Sequence, residues 1–321
     1  MKNMELVYAI FQYGSFSRAA EELYISQSSL STAIQSIENE VGAPLFDRRQ
    51  HPVRLTPAGE EFIRYYLAAK PLESDMLARI QDLAELRGGR LALGGTHYLL
   101  SYILPQAIVG FSKAYPRVEL KIVETESEQF KDLLFSCDID LCLMCDAADA
   151  KLHTIGHAFF DRLYLAVPRE QVAELRLSGN MLSAADILRE SDPSEGHFFP
   201  IANLHKLTFL QLTPGNNLCS RSEKIFESLG ARPGKIIRFN QFVTAYNLAG
   251  SGLGCTLASS RLIAQIDHPG LVYYALPSPL MVRDFHFTTR KDAYLSRSIR
   301  AFCDLFAQTE AEASPAARLF P

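Results

Sequence analysis

The hydrophobic pattern of the chain changes period once, near Arg90, and that change limits the folds open to it. Before it, apolar residues recur at three- and four-residue steps, the spacing of amphipathic helices. After it, runs such as RLALGG, VELKIVE and IDLCLM alternate with helical stretches, the pattern of a parallel sheet covered by helices. A helical head followed by an α/β body is expected, and 321 residues leave room for two or three domains.

Three helices are expected in the head. Met4 to Tyr13 carries the buried stripe Leu6, Val7, Ile10 and Phe11 and stops at Gly14. A second helix spans about Ser17 to Tyr24, with Ala19, Ala20 and Leu23 as close-packing contacts. The third is ISQSSLSTAIQSIENEVG, Ile25 to Gly42, in which Leu30, Ile34, Ile37 and Val41 form the apolar stripe, Ser26 suits the N-cap and Gly42 the C′ position. Its outer face shows Ser28, Ser29, Ser31, Thr32 and Gln35 but no lysine or arginine. Such a face is either a merely solvated surface or one that reads base edges with short polar groups. Two helices joined by a tight turn, the second with a small polar face, form a helix-turn-helix. PLFDRRQHPVRLT then reads as two short strands around a turn at Gln50, His51 and Pro52, a wing that gathers Arg48, Arg49 and Arg54. Residues 1–56 hold five basic side chains against six acidic ones and the whole chain carries a net charge of −4, so no basic footprint announces nucleic acid.

The ordered set SFSRAAEELYISQSSLSTAIQSIENEVGAPLFDRRQHPVRLTPAGEEF resembles the LysR-type transcriptional regulators, and a looser likeness continues to about residue 307. In that family Ala19, Ala20 and Leu23 pack the first two helices, and the run S-Q-S-S-L-S starts the recognition helix. Ile37, Glu38, Gly42, Leu45 and Phe46 match L-E-x-x-x-G-x-x-L-F, and Leu55, Thr56 and Gly59 match L-T-x-x-G. The fold class implied is an α-helical winged helix-turn-helix N-terminal domain plus an α/β two-lobed periplasmic-binding-protein-like (type 2) effector domain, joined by a long linker helix. The corresponding boundaries are 1–58, 59–88 for the linker, 89–308 for the effector domain and 309–321 for a flexible tail. Where relatives often carry a basic or longer polar residue after Ser31, this chain has Thr32 and then Ala33. Base edges would then fall to Gln27, Ser28, Ser29, Ser31, Thr32 and Gln35, with Gln35 able to reach adenine, while Arg18, Arg48, Arg49 and Arg54 hold phosphates. Glu38 is expected to be structural, because a carboxylate near phosphate is repelled.

Thr56 followed by Pro57 is an N-cap with proline at the first helical position, and Glu60 and Glu61 suit the positive helix end. The linker helix is expected to reach about Leu86, before Gly88 and Gly89, and Phe62, Tyr65, Ala69, Leu72, Met76, Ile80 and Leu83 form an apolar seam along it. The resemblance pairs that seam with its twin in a homodimer; packing on the same chain's second domain is the alternative. Pro71 should remove one backbone hydrogen bond and kink the helix.

In the body, lobe I is expected over about 89–163 and 269–308 and lobe II over about 164–268. Lobe II contains LTFLQL, a helix after Asn217, KIIRF, a helix after Asn240 and CTLAS. The chain then returns through LVYYAL and FHFTTR to a last helix ending near Gln308. Ligands of such sheets bind outside the C-terminal strand ends. Thr96, His97 and Tyr98 follow the first strand, Gln211 and Thr213 follow a strand of lobe II, and Asn240, Phe242 and Thr244 open a helix. These are the candidate contacts for a small organic acid or aromatic effector; His97 reads equally as a satisfied surface histidine. AGSGLGCTLAS is similar to the A-A-G-x-G-x-x-x-L-P turn of the family, with Ser259 in place of the proline.

The six cysteines read as reduced core residues, and the lone C-x2-C of Cys142 and Cys145 lacks a second ligand pair for a metal. Cys219, near a helix N-terminus and beside Arg221, is either an inert cap residue or a thiol of lowered pKa. The peroxide-sensing branch of the family uses a cysteine in a similar setting, but Ser228 stands where a disulfide partner would be expected. The rival class is an α/β enzyme with an accessory DNA-binding head. No G-x-S-x-G elbow surrounds Ser251, GSGLG at Gly250 is followed by Cys255 rather than completing G-x-G-x-x-G, and neither H-E-x-x-H nor a P-loop occurs. No catalytic residue, metal or cofactor is expected. A transport solute-binding module is disfavoured by the helix-turn-helix and by an N-terminus without a signal-peptide pattern. No apolar run nears the ~18 residues of a membrane span, so a cytoplasmic protein is expected. Its implied partners are double-stranded DNA with an interrupted palindrome, a small-molecule effector, its own copies in a homotetramer built as a dimer of dimers, and RNA polymerase.

Overall fold

Residues 4–50, 52–83, 89–145, 149–177, 180–189 and 196–312 are described by the computed structural model. They fall into two units, Met1–Met76 and Leu77–Pro321.

In the first unit α1 (Met4–Tyr13), α2 (Phe16–Glu22) and α3 (Gln27–Val41) precede the antiparallel pair β1 (Phe46–Asp47) and β2 (Arg54–Leu55), and α4 (Pro57–Leu83) begins there. Ser15 and Ser26 cap α2 and α3 through their hydroxyls, and Gly42 ends α3 at φ +79°, a left-handed conformation that favours glycine. Val7, Ile10, Ala19, Ala20, Leu30, Ile34, Ile37, Leu45, Phe46 and Ile63 form one core. Val41, placed by periodicity in the α3 stripe, is exposed, and Glu38 takes a buried position instead. Thr56 caps α4, accepting from the Gly59 amide at 3.1 Å and donating to the Pro44 carbonyl at 2.6 Å. A Cβ at Gly59 would lie 2.1 Å from the Leu45 carbonyl oxygen, which is the physical reason for glycine in L-T-x-x-G. The helix α4 runs through Pro71 to Leu83 without a break. Tyr65, Leu72, Met76, Ile80 and Leu83 are exposed along it. The expected end near Leu86 lies outside the described residues.

The second unit carries the strands β3 (Arg90–Gly95), β4 (Glu119–Glu124), β5 (Leu141–Cys145), β6 (Leu152–Pro168), β7 (Thr208–Leu212), β8 (Lys235–Phe239), β9 (Thr256–Ser259), β10 (Leu271–Tyr274) and β11 (Val282–Arg290). Its helices are α5 (Pro105–Ala114), α6 (Phe130–Phe135), α7 (Arg169–Glu174), α8 (Ala184–Arg189), α9 (Asn217–Ser228), α10 (Phe242–Gly250), α11 (Ser260–Gln265) and α12 (Arg297–Glu312). One lobe is the sheet β6-β11-β5-β3-β4, parallel from β5 to β4 and antiparallel where β11 joins. β6 is 17 residues long and serves both lobes: Leu152 to Arg162 pairs with β11, and Leu163 to Pro168 pairs with β9 and β10. The parallel pair β7-β8 joins β9 through a bridge between Phe209 and Cys255.

Two boundaries differ from expectation. LVYY, expected on the return to lobe I, pairs instead with the lobe II half of β6, Leu271 opposite Pro168, so the chain crosses back only at β11. The last helix continues past Gln308 to Glu312, because Glu310 is held by Arg261 at 2.6 Å; residues 313–321 lie outside the described residues.

Candidate nucleic-acid interface and ligand cleft

The α3 face is exposed and its hydroxyls are locally engaged. Ser26 Oγ lies 2.9 Å from Ser28 Oγ and 2.7 Å from Ser29 Oγ, and Ser17 donates to Gln27 Oε1 at 3.1 Å. Thr32 gives its proton to the Ser28 carbonyl at 2.9 Å, the back-bond available to threonine in a helix. Gln35, Arg48, Arg49 and Arg54 line one groove together with Glu38 and Asp47. Gln27, Ser31 and Arg48 line a second, so Arg48 borders both. Arg18 stands apart from both grooves, its guanidinium 6.0 Å from the Tyr13 ring centre.

The wing arginines are not equivalent. Glu38 accepts from the Leu45 amide at 2.8 Å, from the Phe46 amide at 3.4 Å and from Arg48 at 3.0 Å, which places the wing against α3. Arg48 also lies 5.1 Å from the Phe16 ring centre, so it is partly occupied with structure. Arg49 is 92% exposed and pairs with Asp47 at 3.2 Å; the Arg49 amide and guanidinium hold that carboxyl below its ordinary value. Of the two, Arg49 has the freer guanidinium.

In the second unit a cavity of about 250 Å³ opens between the lobes. Thr96, His97, Tyr98 and Phe242 line it, as expected from the sequence. Gln211 does not: Leu212 lines the cavity, and Gln211 turns to α9, donating to Ser222 at 3.1 Å. Thr213 and Asn240 are absent from the lining and meet each other at 3.3 Å, and Thr244 is exposed on α10, where Phe242 faces inward. His97 sits at the rim, 3.4 Å from Glu124, a placement compatible with both of its readings.

Beneath the cavity lies a buried polar network that the sequence reading missed. Arg283 pairs with Asp161, both buried, and the two are opposite each other in the β6-β11 register. Ser259 Oγ donates to Asp161 Oδ1 at 2.9 Å and meets the Tyr98 hydroxyl at 2.8 Å. Burial is the largest influence on Arg283 and opposes its charge, but Asp161, Tyr98 and Cys145 together hold the guanidinium above its ordinary value. Burial and the Asp161 charge together push the Tyr98 hydroxyl up, so it stays a neutral donor. Phe285 joins Tyr98 and Phe242 as an aromatic wall, each with its ring centre within 6 Å of the Arg283 guanidinium. Across the mouth, Asn216 Nδ2 donates to Glu126 at 3.0 Å and the Asn217 amide donates to Ser127 at 3.1 Å, linking lobe II directly to lobe I.

Two family descriptions match the chain: the bacterial regulatory helix-turn-helix protein of the lysR family over residues 1–60 and the LysR substrate binding domain over residues 84–311. The chain belongs to the LysR family. It is 27% identical over 305 residues to the uncharacterized HTH-type transcriptional regulator YcgK of Bacillus subtilis, covering 95% of this chain and 93% of that one. Full-length OxyR from Pseudomonas aeruginosa, a point variant, shares the fold at a TM-score of 0.62 and 21% identity, covering 95% and 96% of the two chains. CbnR in complex with its target DNA matches at a TM-score of 0.58 and 17% identity over 96% and 99%. This LysR-family chain is a DNA-binding transcription regulator with an effector-binding domain, and its relatives are regulators rather than enzymes. No described helix is long and apolar enough to cross a membrane.

Within this LysR-family effector domain, the surroundings of three cysteines bear on the sequence expectations. Cys219 is 2% exposed, and burial together with Glu223 pushes its thiol up, against the pull of Arg238. The neighbouring Arg221, thought able to lower it, points elsewhere, to the Leu280 and Val282 carbonyls and to Cys145 Sγ at 3.2 Å. Two residues along a helix differ by about 200° in direction, so sequence adjacency misled. Cys142 and Cys145 do not share a face of β5: Cys142 is fully buried against Phe130 and Leu134, whereas Cys145 lines the cavity.

Proposed function

We propose that this LysR-family regulator reads an interrupted palindrome as a dimer through α3, and that a small organic acid in the interlobe cleft sets its output. Arg283 carries the effector reading. It is a buried cation in a cavity of mixed lining, with Tyr98, Phe242 and Phe285 around its guanidinium and Glu126 and Glu128 elsewhere in the wall, and its Nε has no hydrogen-bond partner among the described residues. A carboxylate is the group that meets a guanidinium with charge-assisted hydrogen bonds, and the aromatic wall suits a planar or apolar remainder. Asn217 Oδ1, buried at the cavity and also without a partner among the described residues, fits a hydroxyl or amide donor on the same ligand. The exposed apolar residues of α4 support pairing with a second copy, and a dimer of such dimers gives the tetramer. Arg18, Arg49 and Arg54 would hold phosphates, with RNA polymerase met on the same DNA.

The first test is selection from random duplex DNA by the full-length chain, at two salt concentrations. A two-fold-symmetric, interrupted motif is the expected product; nothing above background from folded protein would end the DNA reading. Thermal shifts are then compared for aliphatic and aromatic carboxylates and their neutral amides, since a ligand of the folded state raises the midpoint. Equal stabilisation by amides would end the acid reading, and an acid that binds without altering the footprint would end the coupling.

A further inference from the structure

We propose that His157, Asp284 and His286 form a binding site for a divalent transition-metal ion on the paired strands β6 and β11. The three side chains sit on β6 and β11, and one ligand atom from each lies within 4.8 Å of the others. His157 Nδ1 is 2.8 Å from Asp284 Oδ1, and His286 Nε2 is 3.0 Å from Asp284 Oδ2. The two rings therefore converge on opposite oxygens of one carboxylate, with ring centres 5.9 Å apart and nearly perpendicular. Ligand atoms in a tetrahedral shell with bonds of about 2.0–2.1 Å are roughly 3.3 Å apart, so small side-chain rotations convert this cluster into a chelate.

The local backbone explains the convergence. β11 and β6 pair in register from Val282 to Phe285, and an irregularity then makes His157, rather than Ala158, the partner of His286. Bulges of this kind re-aim a side chain. Without it, His157 would sit one position out of register with His286. Phe160, whose ring centre is 4.4 Å from that of His157, backs the imidazole. His286 Nδ1 is buried without a hydrogen-bond partner among the described residues, so the polar reach of this ring is through Nε2, the atom facing Asp284.

Two imidazoles and one carboxylate select a borderline cation of the zinc, cobalt or nickel class over calcium or magnesium, which prefer all-oxygen shells. Three protein ligands leave a position for water, and all three side chains are partly exposed, so the ion would enter and leave from solvent. Asp284 immediately follows Arg283, and Asp161, the partner of Arg283, lies four residues beyond His157. An ion here would pin together the two strands that support the cleft floor. This site is independent of the effector reading.

The test uses untagged full-length chain, treated with chelator and titrated with Co²⁺ and Zn²⁺. One Co²⁺ per chain is expected, with a visible d–d spectrum and no thiolate charge-transfer band. His157→Ala and His286→Ala should each weaken binding at least tenfold. Zn²⁺ should also slow diethylpyrocarbonate modification of His157 and His286 in the unaltered chain, read by peptide mass spectrometry, a measurement that needs no variant to fold. Absence of stoichiometric binding, a thiolate band, persistence of binding in the folded double variant, or unprotected histidines would each overturn the proposal.

Discussion

The Tyr98 hydroxyl lies 2.8 Å from Ser259 Oγ, and that serine stands where the family signature has proline. Ser259 also caps α11, accepting from the Arg261 amide at 3.2 Å and the Leu262 amide at 3.3 Å, while donating to Asp161. Restoring the family residue with Ser259→Pro should therefore destabilise this chain. It leaves a buried phenol without its partner and removes a cap, a loss of about 2–3 kcal/mol. For a domain of this size that is a midpoint lower by roughly 5–10 °C in calorimetry. An unchanged midpoint would show that the network is dispensable.

Arg49 and Gln35 should separate phosphate holding from base reading. Arg49→Ala is expected to weaken all duplexes alike and to reduce the salt slope by about 1, because an exposed guanidinium on phosphate carries no sequence information. Gln35→Ala should relax preference at one base position, with a cost of roughly 1–3 kcal/mol for the cognate base. Titrations of selected and scrambled duplexes at several salt concentrations distinguish them. Exchange of the two phenotypes would reverse the assignment.

Glu38 is expected to act through the wing rather than on DNA. Glu38→Ala removes the acceptor for the Leu45 and Phe46 amides and frees Arg48, so about 2–4 kcal/mol of stability should be lost in the first unit. Glu38→Gln keeps a carbonyl for the amides and should be milder. The check is urea unfolding followed by a probe in the first unit. If Glu38→Ala unfolds like the parent yet loses DNA, the carboxylate has a direct role instead.

The thiol of Cys219 should resist alkylation in the folded chain. Its pKa is raised by burial, so its thiolate fraction at pH 7.4 is below that of a free cysteine, and access is closed besides. Raising the pH increases reactivity only as the solution passes the ordinary thiol range. Timed iodoacetamide labelling with mass spectrometry should show Cys219 modified at least tenfold more slowly than in urea. Fast labelling at neutral pH would reopen the redox reading.

Local signals carried the head of the molecule. Ser26, Gly42, Thr56 and Pro57 mark helix ends through chemistry contained within a few residues, and each stands where that chemistry predicts. Glu38 could be set aside as structural, but its partners, seven and eight residues on, become visible only when β1 folds back. The cleft was harder. β7 is buried on both faces, from Phe209 to Leu212, so it shows no alternation to say whether Gln211 or Leu212 faces the cavity. Thr244 was misplaced by two positions around α10, which a helix converts into the opposite face. Arg283 joins a site begun at Thr96 only through the return of β11. Its signal was present: an arginine inside the strand-like run VRDFHF is costly to bury without a partner, and that cost points to a site.

The length of β6 sets a constraint on how this regulator can change over time. A single strand supplies the pleat for two sheets, so the loss or gain of one residue near Arg162 would reverse inside and outside for every position beyond it. The damage would reach β9 and β10 in one direction or β11 in the other. Loops on either lobe tolerate drift in length, whereas this strand works as a shared ruler whose graduations cannot be moved separately. Variation in ligand preference is therefore expected to come by exchange of side chains along β6 and β11, and not by insertion or deletion within them.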